Sequence, residues 1–159
     1  MNIEIGGGAI VQPGWINLDS RHGSNPYWQR EAQDTPWPTD DNSVDHILAS
    51  HVLEHVPAGE PRLKIFNEAW RVLRPGGVFE VKLPLIITEN GLPSWHSIAD
   101  PTHVSFWCRE SFHYFTAQAG RTDLAVFAAN ADYGIKLFWE IYWGINSGFE
   151  GHWKGVPAK

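Results

Sequence analysis

Apolar positions along the chain change their spacing several times, and each change marks an element. Asn2-Ile3-Glu4-Ile5 predicts a short strand that runs straight into Gly6-Gly7-Gly8. Trp15-Ile16-Asn17-Leu18 predicts a second strand, opened by the turn pair Pro13-Gly14 and closed by Asp19. A polar, proline-containing stretch then extends to Asn42 and reads as loop with at most a short helix. Val44 to Ala49 is an apolar-leaning run between polar turns, as expected of a buried parallel strand. After Pro61 the period lengthens: Leu63, Phe66, Trp70 and Leu73 recur at three- and four-residue steps. Arg62, Lys64, Glu68, Arg71 and Arg74 lie between them, so the segment predicts an amphipathic helix with a solvated basic face. Arg71, Arg74 and then Pro75-Gly76-Gly77 punctuate its end, and Val78–Leu83 is the next strand.

Strand, helix, strand in this order implies a right-handed crossover and a parallel sheet. The expected fold class is therefore α/β: a Rossmann-like, mostly parallel sheet flanked by helices. From Pro84 to about Phe106 no period is visible, and a connection of that length reads as a lid or acceptor loop over about 85–106. Arg109 to Gln118 is a further candidate helix, and the aromatic tail around Ile135–Ile145 supplies one or two late strands.

Composition narrows the class. The 159 residues suit a single domain, and 43% hydrophobic with 19% charged residues is a globular balance. A formal net charge of −6 with only 12 Lys and Arg gives little with which to neutralise phosphates, so no nucleic-acid partner is expected. The lone Cys108 precludes an internal disulfide and suits a reducing compartment. No apolar run reaches the ~20 residues that span a bilayer, and no secretory signal is visible. The expected location is cytoplasmic, with no membrane partner.

Three blocks carry chemistry. They are Ile3-Glu4-Ile5-Gly6-Gly7-Gly8, the run from Trp37-Pro38-Thr39-Asp40-Asp41-Asn42 through Ser50-His51-Val52-Leu53-Glu54-His55, and Asn67 to Gly77 with its Arg71-Val72-Leu73-Arg74-Pro75-Gly76-Gly77 ending. In that order they resemble class I S-adenosylmethionine-dependent methyltransferases, closely over residues 2–84 and loosely beyond. The resemblance implies a methyltransferase with S-adenosylmethionine as methyl donor and S-adenosylhomocysteine as product. It implies that Gly6, Gly7 and Gly8 admit the cosubstrate, since a side chain in such a turn would occupy its volume. It places Glu4 near the methionine amino group and Asp19 on the ribose hydroxyls. Asp34, or failing that Glu31, would meet the adenine amine, and Trp37 would stack on the ring or plug the core beneath it. Ser50 and His51 leave the third predicted strand at its carboxyl end, where open α/β sheets bind ligands.

One departure stands out. Asp19 follows Gly8 by eleven residues, where dinucleotide folds need about 20. With Pro13-Gly14 between them, the first helix is short or missing. The run Pro13-Gly14-Trp15-Ile16-Asn17-Leu18-Asp19 is similar to that of small, type-11-like methyltransferases sharing this shortcut, and Asp100-Pro101-Thr102-His103 is similar to their acceptor loops. That likeness makes His96, Asp100 and His103 candidate substrate contacts and His103 a candidate general base; the competing reading has His103 satisfying loop carbonyls.

Other patterns yield blander readings. His51-Val52-Leu53-Glu54-His55 also fits the H-x-x-E-H signature of zinc hydrolases, but the sequence singles out no third ligand, so no metal is expected. Most of the nine tryptophans are explained by burial, Trp15 and Trp70 among them. Phe138, Trp139, Tyr142 and Trp143 are too dense for a strand with one wet face: either both faces are covered or the run is a homo-oligomer interface, the favoured reading. The acceptor is expected to be a small or saccharide-like molecule. The rival function is a cofactor-binding interaction or regulatory domain that transfers nothing.

Overall fold

The computed structural model describes residues 1–9, 12–21, 27–117 and 133–159. Its strands are β1 (Asn2–Ile5), β2 (Trp15–Asp19), β3 (Trp28–Gln29), β4 (Val44–Ser50), β5 (Leu73–Pro84), β6 (Thr116–Ala117), β7 (Phe138–Asn146) and β8 (Glu150–Pro157). Its helices are α1 (Glu60–Val72), α2 (Trp95–Ile98) and α3 (Arg109–His113), with a single 3-10 turn at Leu53–His55. All strands join one eight-stranded sheet in the order β3-β2-β1-β4-β5-β8-β7-β6. β1, β2, β3, β4 and β5 pair in parallel, and β8 inserts antiparallel to both β5 and β7. The expected α/β, mostly parallel sheet is thus present. Among the described residues between β1 and β2 there is no helix. The chain order reverses at β1, whose neighbours are β2 on one side and β4 on the other, and such a switch point opens a crevice at the strands' carboxyl ends.

α1 follows the expected segment with its apolar stripe rotated. Ile65, Phe66, Ala69 and Val72 are buried, while Leu63 and Trp70 only pack on the margin of the core. Phe66 is the hub of that core: it stacks on Phe115 at 3.7 Å between ring centroids and meets Phe79 edge-on at 5.2 Å. Each such aromatic pair is worth ~0.5–1.5 kcal/mol beyond the area it buries. The helix stops at Val72, not at Arg74. Leu73 pairs with Val44 and Val78 with His46, so Arg74-Pro75-Gly76-Gly77 bulges out of the β4–β5 ladder before the regular Val78–Leu83 stretch. Gly76 takes φ +77° in that bulge, a conformation glycine adopts without strain.

The basic face of α1 is less solvated than the pattern suggests. Glu68 is 7% exposed and accepts the Trp37 backbone N–H at 2.6 Å. Arg71 donates to both Glu68 oxygens and to the carbonyls of Trp37 and Thr39. Arg62 lies 4.0 Å over the Trp107 ring. These contacts staple the 37–43 loop and the 105–107 segment to the helix. α3 is shorter than the expected 109–118 helix, and Gln118 lies outside the described residues. Along β7, Phe138 is wholly buried, whereas Trp139 and Tyr142 are 47% and 44% exposed, so among the described residues one face of that aromatic run is covered more fully than the other. Among the described residues no helix is long and apolar enough to cross a membrane.

Candidate functional site

A cleft of about 440 Å³ opens at the carboxyl ends of β1, β2 and β4, within the usual range for small-molecule sites. Ile5 and Gly6 leave β1 into it, Leu18 and Asp19 leave β2, and His51 and Val52 follow β4. The side wall is Arg30 to Gln33, and the far wall is His55, Val56 and Thr102.

The glycine turn is short because β2 holds it down. Gly6 donates its backbone N–H to the Leu18 carbonyl at 2.7 Å, Gly7 donates to Asn17 Oδ1 at 3.0 Å, and Asn17 Nδ2 donates back to the Gly8 carbonyl at 3.1 Å. Gly8 donates to Asp19 Oδ2 at 2.9 Å. Gly6 and Gly8 adopt φ +67° and +63°, which is what lets four residues reverse direction here. Asp19 is buried, and burial by itself works against its ionisation. The backbone N–H groups of Arg21 and Gly8, and the Arg21 guanidinium at 3.5 Å, outweigh burial and hold its carboxyl below the ordinary range. An ionised carboxylate is thereby fixed on the wall of the cleft.

His51 closes β4 in the left-handed region, at φ +54°, and bends the chain across the cleft. The 3-10 turn follows, so His51 and His55 do not share a helix face as H-x-x-E-H would in a zinc hydrolase. The Glu54 carboxylate 3.3 Å from His51, aided by Glu150 at 2.8 Å, overrides partial burial and pushes the imidazole up to about 9. His51 is cationic at neutral pH.

Other expected residues are placed unevenly. Glu4 lies behind the glycine turn, its Oε2 buried and without a hydrogen-bond partner. Asp34 is exposed and off the cleft, whereas Glu31, its alternate, lines it. Trp37 is 1% exposed and gives its indole N–H to the Ala32 carbonyl at 2.9 Å, so of its two readings the structure has the core plug and not the stacking platform. Ser50 ends β4 without lining the cleft. His96 is sandwiched between Trp95 and Phe149, away from it. Asp100 accepts from the Thr102 N–H and hydroxyl, and His103 Nδ1 donates to the Ser97 carbonyl at 2.8 Å; neither lines the cleft. In their loop it is Thr102 that does. Sequence reasoning did not single out Arg21, Arg30, Gln33, Val52 or Val56. The one available signal was position, since Val52 and Val56 flank the Leu53-Glu54-His55 block.

A reversed parallel sheet, a glycine turn at the end of β1 and an acid at the end of β2 are the features with which Rossmann-like α/β folds hold a nucleoside at the switch point. Residues 12–81, a little under half of the chain, match the family model described as a methyltransferase domain. The chain is similar to a SAM-dependent methyltransferase from Archaeoglobus fulgidus, with 13% identity over 98% of this chain and 85% of the other, TM-score 0.63. It is also similar to a chain from the complex of the Haloferax volcanii Trm112 methyltransferase activator with a methyltransferase, 15% identical over 98% and 81%, TM-score 0.60. A third is the 16S rRNA (adenine(1408)-N(1))-methyltransferase of Catenulisporales acidiphilia, 13% identical over 99% and 84%, TM-score 0.52. No curated protein sequence matches the chain significantly. These structures bear out the expected Rossmann-like α/β fold, and the match over residues 12–81 is to a methyltransferase domain, the kind of family that the sequence resembles.

Proposed function

We propose that the protein holds S-adenosylmethionine in the cleft of β1, β2 and β4 and methylates a small or saccharide-like acceptor. The observation that carries this placement is Asp19: a buried, ionised carboxylate tethered to Gly8 on the wall of an open cleft of about 440 Å³. Each Asp19 oxygen accepts one backbone N–H, which leaves lone pairs for a pair of ribose hydroxyls. Glu4 lies behind the glycine turn and off the cleft's lining, so this placement gives it no direct contact with the methionine ammonium. Glu31 takes the place in the adenine region for which Asp34 was the first candidate.

The cosubstrate supplies a methyl group on a positively charged sulfur, already activated for in-line displacement. What remains for the chain is to orient two reactants and exclude water. Ile5, Leu18, Val52 and Val56 give the cleft apolar walls, and cationic His51 stands between Glu54 and Glu150 at the strand end. Thr102 brings the 85–106 connection against the cleft, which favours acceptor entry from that side. The formal charge of −6 favours an acceptor without a phosphate backbone, in contrast to the rRNA substrate of one structural neighbour. The single free cysteine favours a cytoplasmic setting.

The test is a thermal-shift titration with S-adenosylmethionine and S-adenosylhomocysteine, followed by turnover. Ligand at 100 times its dissociation constant should stabilise the fold by about 2.7 kcal/mol. S-adenosylhomocysteine should then accumulate with a hydroxylated small-molecule pool and not with RNA. No shift with either ligand refutes the cleft assignment, and a shift without turnover on any pool favours an interaction domain.

A further inference from the structure

At the far wall of the cleft, where His55 lies beside Thr102, Glu54, His55 and His103 bring one ligand atom each to within 4.8 Å of one another. We propose that these three side chains form a binding site for a divalent first-row transition-metal ion. Two of the ligands, Glu54 and His55, come from the turn after β4, and the third, His103, comes from the 85–106 loop.

The tautomers support this. His103 Nδ1 faces the Ser97 carbonyl at 2.8 Å, and a carbonyl only accepts, so Nδ1 is a donor and Nε2 is the nitrogen that a metal ion would take. His55 Nδ1 faces the Thr102 carbonyl at 3.2 Å and Thr102 Oγ1 at 3.2 Å. The Thr102 hydroxyl is itself donated to Asp100 Oδ1 at 2.6 Å, so Oγ1 accepts as well, and His55 Nδ1 is likewise a donor. Both imidazoles are thus oriented by oxygen acceptors on Nδ1 with Nε2 left to face a ligand, which is how metal-binding histidines are usually held.

Glu54 supplies the independent observation. Its side chain is 2% exposed, and neither carboxylate oxygen accepts a hydrogen bond. His51 Nδ1 pairs with Oε1 at 3.3 Å, and among the described residues Oε2 has no partner. A buried carboxylate oxygen left without a partner is costly, and an ion bound at Oε2 relieves it while Oε1 stays paired with His51. Ligand atoms around an ion at ~2.1 Å are roughly 3–3.5 Å apart, so the group must contract by about an ångström. His55, which is exposed, has the freedom to turn inward. Two imidazoles and one carboxylate favour zinc, manganese or iron over the oxygen-seeking magnesium and calcium. Asp100 Oδ2, 3.8 Å from His103 Nε2, is within reach as a fourth ligand; without it a coordination position is left for water or an acceptor oxygen.

This site does not depend on the cosubstrate reading, and its test uses none. The chelator-stripped protein is titrated with Zn²⁺ by calorimetry and with Mn²⁺ by the loss of its free-ion electron paramagnetic resonance signal. The expected result is one ion per chain with micromolar or tighter affinity for at least one of the two metals. His55→Ala and His103→Gln should each weaken that binding at least tenfold, with circular dichroism verifying that they fold. His55 is exposed, so its variant keeps the test sound should the His103 variant unfold. No binding at millimolar metal, or wild-type binding by folded His55→Ala, overturns the site. Either failure leaves methyl transfer standing, and failure of the cosubstrate titration leaves the metal site standing.

Discussion

Val52 occupies the space that a side chain at Gly6 would need: a β-carbon there would lie 2.4 Å from Val52 Cγ2. The turn therefore requires glycine on the protein's own account, before any ligand enters. Gly6→Ala meets two costs, the left-handed backbone at φ +67° and the overlap with Val52. Together they should destabilise the fold by about 2–4 kcal/mol, read from urea denaturation. Adding Val52→Ala removes the overlap, though it deletes some packing of its own. The double variant should be less destabilised than the two single changes sum to. Strict additivity would show that the contact is not what excludes a side chain.

Asp19→Ala should weaken S-adenosylhomocysteine binding ten- to hundred-fold by calorimetry, since hydrogen bonds to a charged group are worth ~1.5–3 kcal/mol. The same change frees the Gly8 N–H, so a control must loosen the turn without touching the carboxylate. Asn17→Ala does this by removing the bonds to Gly7 and Gly8. Its affinity loss should be clearly smaller. Equal losses would mean that Asp19 serves the turn and not the ligand.

The parallel half of the fold was legible because its signals are local. β1, the glycine turn, β2 and β4 are short runs with turn residues at their ends, and the eleven-residue step from Gly8 to Asp19 leaves little room for a helix. What escaped was set by partners distant in sequence. Glu68 reads as solvated on a helical wheel, yet it is buried because Arg71 and the Trp37 N–H satisfy it. Leu63 and Trp70 fit the period but face the margin, since the sheet meets α1 at Ile65, Phe66, Ala69 and Val72. β8 buries Gly151, Trp153, Gly155 and Pro157 and turns Glu150, His152 and Lys154 outward. That period of two is hidden when its inward positions are glycines. Likewise the third member of the metal-ligating group, His103, is 48 residues beyond His55 and meets it only through the fold.

Trp37 tests the division between core and ligand site. Trp37→Phe deletes the indole N–H that satisfies the buried Ala32 carbonyl and leaves part of the ring volume empty. The expected cost is about 1–3 kcal/mol of stability. Affinity for S-adenosylhomocysteine should stay within twofold of wild type, because the ring does not line the cleft. A stable variant that binds tenfold more weakly would return Trp37 to the adenine site.

On the sheet, Glu80 governs behaviour in acid. Its carboxylate is 8% exposed and sits between His152 at 2.7 Å, His46 at 3.0 Å, Lys154 at 3.3 Å and Lys82 at 3.4 Å. Burial alone would raise it, but the hydrogen bonds from Lys154 and His152 and the charges of both lysines prevail and bring it from 4.5 to about 2. A carboxyl depressed on folding contributes stability that is fully present above its unfolded value and lost as pH falls through the folded one. The loss attributable to Glu80 therefore falls between about pH 4.5 and pH 2. The full shift would correspond to roughly 3 kcal/mol. Both lysines are 32% exposed, so solvent screening reduces the expected contribution to about 1–2 kcal/mol. Glu80→Gln should be less stable than wild type at pH 6, and the gap in urea-unfolding free energy should shrink steadily between pH 4.5 and pH 2. A gap that stays constant over that range would mean that packing, and not the ionised carboxylate, is what Glu80 contributes.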